Sequence, residues 1–451
     1  MEKLTGFFKT IQKKMKKILS FMLVALFAMG SFAADRAHTL KVYNWADYID
    51  ESVLNGFPAW YKEMTGEEVE VIYQTFDINE SMLTEIEVGH EDYDVICPSE
   101  YIIERMLKAN LLKKIDKASI PEGQRYFDNV APFAVDKFAQ MSETETVSDY
   151  TVGYMWGTTG FIYNPEHVNG EDLHTWGALL DPKFKGQIYM KDAFRDVYSV
   201  VVLYAYRDEI ARGEVTRDEL VKTITPERIA RVEEILTAAK DNFAGWEVDF
   251  GKEEMTKGKA WMNLSWSGDA QFAIDEAAEN GIELQYIVPD EGSNVWFDGW
   301  CIPAYAVNTK AATWWINYMC IPENAIKNMD YIGYVSVIAT PEILEWANDE
   351  EEWPEALDLS YFFGEEATEV HANPVFYADK TTIDRCALMH DAGDMNEELV
   401  KMWNRVKGDN LSPVMIAIIG IVVLIILVFA VWKAVSNRQQ QKMQRKNRAR
   451  R

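Results

Sequence analysis

The sequence predicts an α/β protein built as two lobes with a cleft between them. Three observations lead there. Strand-like and helical patterns alternate at the spacing of βαβ units, which implies a mostly parallel sheet covered on both faces. Residues 44–48 and 99–101 each follow a strand-like run, and open α/β sheets hold ligands beyond the carboxyl ends of their strands. The α/β material in 451 residues also exceeds what one domain usually holds.

Taken in order, residues 39–43 read as a strand and 51–65 as a helix ending at Gly66. A second strand covers 68–74, a helix 80–88, and a buried strand 93–97 that stops at Pro98-Ser99, before a helix over 102–109. The middle repeats the theme. A strand at 187–190 leads into Asp192–Asp196 and a helix, and a strand at 259–264 leads into Ser265-Trp266-Ser267-Gly268-Asp269 and another helix. Further strands are expected at 283–288 and 301–307, and Ser412-Pro413 closes this α/β region. There is no internal repeat and no low-complexity segment.

Both ends of the chain carry membrane signals. Lys13, Lys14, Lys16 and Lys17, an apolar stretch over 18–29 and the small-residue run Gly30-Ser31-Phe32-Ala33-Ala34 form a signal peptide over 1–34, cleaved near Ala33 or Ala34. Residues 414–432 are an unbroken apolar run of 19, long enough to span a bilayer, so a transmembrane helix is expected over 413–432. The tail 433–451 has eight basic residues and no acidic one. Positive flanks stay in the cytoplasm, which puts the tail inside and residues 35–412 outside the cell membrane or in the periplasm. Stop-transfer explains the tail without nucleic-acid binding. Residues 35–432 hold 31 basic and 71 acidic residues, a net charge of −40. Such a field repels nucleic acid and anionic lipid and concentrates small cations.

Cysteine is sparse: Cys97, Cys301, Cys320 and Cys386, with no CxxC pair, beside six scattered histidines. Neither a zinc site nor another cofactor has sequence support. One disulfide fits an oxidising compartment, although the apolar surroundings of Cys97 and Cys301 suit buried thiols. The run Tyr43-Asn44-Trp45-Ala46-Asp47-Tyr48 places two aromatic faces and a carboxylate within four residues. A carboxylate accepts hydrogen bonds from an ammonium, and ring faces attract it through their quadrupole, so the run suits an organic cation. The plainer alternative is a strand end whose aromatics pack into a core.

Seven motifs in order, YNWADYI at Tyr43, YDVICPSEYII at Tyr93, WGTTGFIYN at Trp156, FKGQIYMKDAFRDVY at Phe184, SWSGDA at Ser265, VWFDGWCIP at Val295 and IGY at Ile332, give the chain a specific likeness. Over residues 38–408 it resembles the extracytoplasmic polyamine-binding proteins of ABC importers, the spermidine/putrescine group. The resemblance implies a type II periplasmic-binding-protein-like fold whose lobes, joined by crossing strands, close on ligand. Lobe one would be 38–156 with 297–342, and lobe two 157–296 with 343–409. It implies a putrescine or spermidine ligand, a permease with its ATPase as partner, and no enzymatic activity. The cation-box aromatics would be Trp45, Tyr48, Tyr101, Trp266, Trp296 and Tyr334, and the carboxylates Asp47, Asp196 and Asp298. Asp269 stands where putrescine-type members carry an acid. Asp298 and Asp196 would hold primary amines, while Asp47 and Asp269 would tune length selectivity. The chain departs from the pattern at Ala46, at Ala193 beside Asp192, and at Met389.

Plainer roles are open for several of these residues. Asp196 and Asp269 precede helices and could be N-caps. Trp266 and Trp296 could be core residues, and Trp314 and Trp315 read as packing. Acid pairs also occur in glycosidases, but no nucleophile–base arrangement or phosphate loop stands out. A tethered ligand sensor and a binder of another organic cation are the remaining alternatives. A cleft for anions would need basic residues or bare helix N-termini where these motifs offer acids and aromatics.

Overall fold

In the computed structural model, residues 36–408 are described, apart from His90 and Asp249. The expected signal peptide, the apolar run 414–432 and the basic tail lie outside those residues. Among the described residues, no helix is long and apolar enough to cross a membrane.

The strands are β1 (Thr39–Trp45), β2 (Glu70–Phe76), β3 (Val95–Ile96), β4 (Leu112–Lys113), β5 (Thr151–Tyr163), β6 (Ile188–Lys191), β7 (Phe243–Glu247), β8 (Met262–Trp266), β9 (Gln285–Ile287), β10 (Asn294–Pro303), β11 (Val335–Ser336) and β12 (Ala387–Leu388). The helices that matter below are α1 (Glu51–Thr65), α2 (Glu100–Lys108), α3 (Phe194–Ala205), α4 (Ser267–Glu279), α5 (Thr309–Met319) and α6 (Pro322–Ile332). Local sequence explains many of them. In α1, the Asp50 side chain accepts from the backbone N–H groups of Ser52 and Val53, and Val53, Phe57 and Tyr61 form the buried stripe. Trp315 on α5 packs edge-on against Phe57 and Trp300, and Trp314 against Trp60, so both are packing residues.

The sheet order is β2-β1-β3-β10-β5-β8-β6-β7. Two parallel trios, β2-β1-β3 and β8-β6-β7, are joined through β10 and β5. β10 is antiparallel to both β3 and β5, and β5 is antiparallel to β8. The result is a two-lobe α/β fold with a mixed sheet. The expectation of a mostly parallel sheet holds within each trio and fails at the centre. There stands β5, all thirteen residues of it buried, a strand that the sequence pattern does not announce. Burial on both faces removes the alternation that marks a strand, and Gly153, Gly157 and Gly160 lower its strand propensity. The strand expected over 301–307 begins seven residues earlier, at Asn294, and ends at Pro303. Asp298-Gly299 interrupts its apolar run.

All four cysteines are free thiols and buried, so the disulfide allowed by the sequence does not form. The chain divides into two compact units after Asn396. The second begins within the helix Asn396–Lys407, where Leu399, Met402, Trp403 and Val406 recur every three or four residues as one apolar stripe.

Gly157 lies where the lobes' central strands meet, and a Cβ there would fall 2.3 Å from Ser267 Oγ and 2.5 Å from the Trp296 ring. Gly157→Ala is expected to cost about 1–3 kcal/mol by forcing both neighbours to shift. Urea denaturation measures it, and an unchanged midpoint would contradict the close packing of β5 on this side.

Candidate ligand-binding site

Carboxyl ends of parallel strands supply the walls of the site. β6 leads into α3 and β8 into α4, and these two strands are neighbours with parallel partners, so both helices begin at one edge of the sheet. Asp196 and Asp269 each occupy the third position of their helix. The N-cap positions are Ala193 and Trp266, so neither acid is a cap. Both carboxylates stand in the positive field of a helix N-terminus. From the other trio come Tyr48, after β1, and Ser99, after β3. Between them β10 carries Trp296 and Asp298. Its pairing with β5 runs from Phe297 opposite Trp156 to Gly299 opposite Gly153, so Tyr154 and Met155 together face Asp298 in a β-bulge.

Asp298 is the centre of this arrangement. One carboxylate oxygen accepts from the Tyr48 hydroxyl at 2.7 Å, the other from the Ser99 hydroxyl at 2.7 Å. Asp196 accepts from Trp266 Nε1 at 2.9 Å and from the Asn294 amide at 3.1 Å. Both acids are buried, and among the described residues no lysine, arginine or histidine forms an ion pair with either. Burial pushes Asp298 up to about 6, against the hydroxyl hydrogen bonds, and the Asp196 charge adds to the rise. Burial also raises Asp196, opposed by its two donors and by Arg195.

Asp269 differs. It accepts from Lys191 Nζ at 2.7 Å and from the Tyr334 hydroxyl at 2.8 Å. Its pKa is lowered, because the Lys191 and Lys252 charges outweigh its burial. Tyr334 follows α6 and lies edge-on to Tyr48 (5.2 Å between centroids) and Trp296 (5.5 Å). Its ring covers Gly268, where a Cβ would come within 2.2 Å of it. Tyr101 joins through Asn79, whose amide donates to both the Tyr101 and Ser99 hydroxyls, and the Tyr101 hydroxyl donates to Glu80. Burial holds the phenols of Tyr48, Tyr101 and Tyr334 protonated.

Eight of the ten residues expected from the sequence thus join one network of hydrogen bonds and ring contacts. Trp45 and Asp47 stand apart from it. Trp45 is half-buried against Phe76 at 4.6 Å. Asp47 is exposed in the left-handed region, with φ 52°. Sequence reasoning missed Ser99 as a ligand of Asp298, and also Asn294, Asn79 and Lys191. All but Asn79 and Asn294 lie inside the quoted motifs. Asn294 directly precedes one of them.

Buried acids set among aromatic rings, two of them, Asp298 and Asp196, with only neutral hydrogen-bond donors, offer an environment suited to a positive charge on an apolar frame. The model of the family described as bacterial extracellular solute-binding protein matches residues 59–356, about two thirds of the chain. The spermidine/putrescine-binding periplasmic protein of Salmonella typhimurium is 29% identical over 353 residues, covering 77% of this chain and 92% of that protein. The putrescine-binding periplasmic protein SpuD of Pseudomonas aeruginosa is 26% identical over 406 residues, covering 87% and 98%. Among solved structures, the spermidine/putrescine ABC transporter substrate-binding protein PotD of Streptococcus pneumoniae aligns with a TM-score of 0.60 at 26% identity, over 82% of this chain and 98% of that one. The TpPotD lipoprotein of Treponema pallidum shares the fold, with a TM-score of 0.63 at 21% identity over 82% and 99%.

The raised pKa of Asp298 has a consequence for stability. Its folded value lies above the unfolded value of about 3.9, so the stabilisation it brings is fully present below about pH 4 and is lost as pH rises through about 6. At pH 7 the buried carboxylate destabilises the fold by about 2–3 kcal/mol. Asp298→Asn is therefore expected to raise the unfolding free energy at pH 7 by about 1–3 kcal/mol, and to lose that advantage near pH 4. Urea titrations at the two pH values test this, and a less stable variant at pH 7 would refute it.

Proposed function

The chain belongs to the family of bacterial extracellular solute-binding proteins, and from that premise we propose that it is the polyamine receptor of an ABC importer, held at the outer face of the cell membrane. The observation that carries the proposal is the pair of buried acids, Asp298 and Asp196, whose internal hydrogen-bond partners are all neutral. A buried carboxylate without a counter-ion is costly. An alkyl ammonium supplies both the charge and the hydrogen bonds, each worth roughly 1.5–3 kcal/mol net. A polyamine needs separated carboxylates for its amines and flat rings for its methylenes. Tyr48, Tyr101, Trp266, Trp296 and Tyr334 supply the rings, while Trp45 and Asp47 would join only on closure around the ligand. What the relatives' names say they bind supports the same reading.

The mechanism is capture, closure and delivery. The lobes, 38–156 with 297–342 and 157–296 with 343–409, close about β5 and β10, and the closed receptor docks on a permease driven by its ATPase. The apolar run 414–432 and the basic tail tether the receptor with its C-terminus in the cytoplasm, which keeps it beside the permease at high effective concentration. Binding itself is the function, with no turnover of the amine.

Calorimetry with putrescine and spermidine at low and physiological salt tests the reading. One-to-one binding that survives salt is expected, because a desolvated site is screened little. Binding erased by salt would reduce the interaction to the counter-ion atmosphere of an acidic surface. Affinity is expected to be flat between pH 7 and 8 and to fall below about pH 6, as Asp298 takes up its proton, by up to about tenfold per pH unit. Asp298→Asn should weaken binding at pH 7 by about tenfold or more. Affinity that holds to pH 5, or survives that substitution, would remove Asp298 from the amine site. For the tether, the full chain should resist alkaline extraction from membranes, whereas a chain ending at residue 410 should be released and still bind. Equal release of both would disprove the anchor.

A further inference from the structure

Lysine is rarely fully buried, yet Lys191, at the end of β6, has no exposed surface. Its ammonium has three hydrogens to donate, and the protein satisfies it from within. Nζ lies 2.7 Å from Asp269, 2.7 Å from the Val248 carbonyl and 3.2 Å from the Glu247 carboxylate. It also sits 4.3 Å from the centroid of the Trp266 ring. Carboxylate on one side and indole face on the other are what the neighbouring site offers an ammonium of a ligand.

Asp269 holds the same helix position as Asp196, and Tyr334 ties it to the wall that contains Tyr48 and Trp296. Three acids therefore border the aromatic wall, and one of them is already matched by a cation of the chain itself. Lys252, 3.5 Å from Asp269, brings the local count to two lysines for the two carboxylates Asp269 and Glu247. Burial alone would lower the Lys191 pKa, but Asp269 and Glu247 outweigh it and the group stays charged.

We propose that Lys191 is a built-in cation that fills a third ammonium position of the site, so that the protein selects ligands with two ammonium groups, met by Asp196 and Asp298, over those with three. The inference rests on the polyamine reading above and adds the number of charges the ligand carries. Lys191 acts as a specificity-determining residue: it takes Asp269 and one face of Trp266 out of the reach of a third amine.

Calorimetry on the purified full chain with putrescine, which has two ammonium groups, and spermidine, which has three, tests it. The wild-type protein should bind putrescine more tightly than spermidine. Equal or tighter binding of spermidine would mean that the third ammonium finds a partner, and would overturn the proposal. Lys191→Met should raise the spermidine-to-putrescine affinity ratio by about tenfold or more, because an amine can then reach Asp269 and the freed indole face. An unchanged ratio in a folded variant would also overturn it. If Lys191→Met does not fold, the wild-type ratio still decides. A wild-type protein that binds neither amine would remove the polyamine reading itself, whereas binding of both with no effect of Lys191→Met would remove the role of Lys191 alone.

Discussion

The antiparallel pairing of β5 with β10 is the constraint on which the rest of the structure depends. Both strands are buried along their whole length and run from one parallel trio to the other. Their ladder fixes how the strand ends of the two trios face each other, and its one irregularity falls beside the site. The bulge opposite Asp298 aims that carboxylate at Tyr48 and Ser99, which come from the β1 and β3 ends. The same ladder brings Trp296 against Tyr334. Movement between the lobes in the proposed closure would pass through these two strands, which join the two trios, and through the third crossing at 342–343.

Electrostatics works at two ranges. The net charge of −40 over residues 35–432 raises the local concentration of any small cation and is screened within about 8 Å at physiological salt. It steers but does not select. In the proposed reading selection belongs to the buried acids, where solvent no longer competes. Asp298 and Asp196 keep neutral hydrogen-bond donors that orient their oxygens without cancelling their charge, so the attraction for an ammonium is preserved. Asp269 is neutralised by Lys191. In the proposed reading the site is thereby divided into acids that await a cation and one that already has it, Asp269 beside Lys191.

This arrangement is held against its own stability. A carboxyl raised by burial weakens the fold at neutral pH, and the Trp, Tyr and Phe packing around β5 and β10 supplies the compensation. Trp156 stacks near Phe297 and Phe362, and Tyr154 packs between Tyr48 and Trp300. These rings pack around the strands that carry Asp298, which stays buried.

The sequence by itself determined the alternation of strands and helices, the trio β2-β1-β3, the strands β6 and β8 of the other trio but not its edge strand β7, the helix α1 to its last residue, and most of the aromatic and acidic residues that join the buried network. Those features are written locally: 3.6-residue and strand-like apolar patterns, the Asp50 cap, Gly66, and acids placed just after strand ends. Ordered motifs then gave the family. The tertiary structure decided what periodicity cannot express. β5 escaped notice because burial on both faces erases the alternation by which a strand is read. Trp45 and Asp47 drew attention as a compact cation motif, yet the left-handed turn at Asp47 leaves it exposed, apart from the network that includes Tyr48 next to it. Nothing in the local sequence marks Lys191, and only the meeting of β6, β7 and α4 shows that it spends its charge on Asp269 and Glu247. Charges acquire their role from the partners that folding brings within about 3 Å, and those partners are distant in sequence: 78 residues separate Lys191 from Asp269, and 250 separate Tyr48 from Asp298.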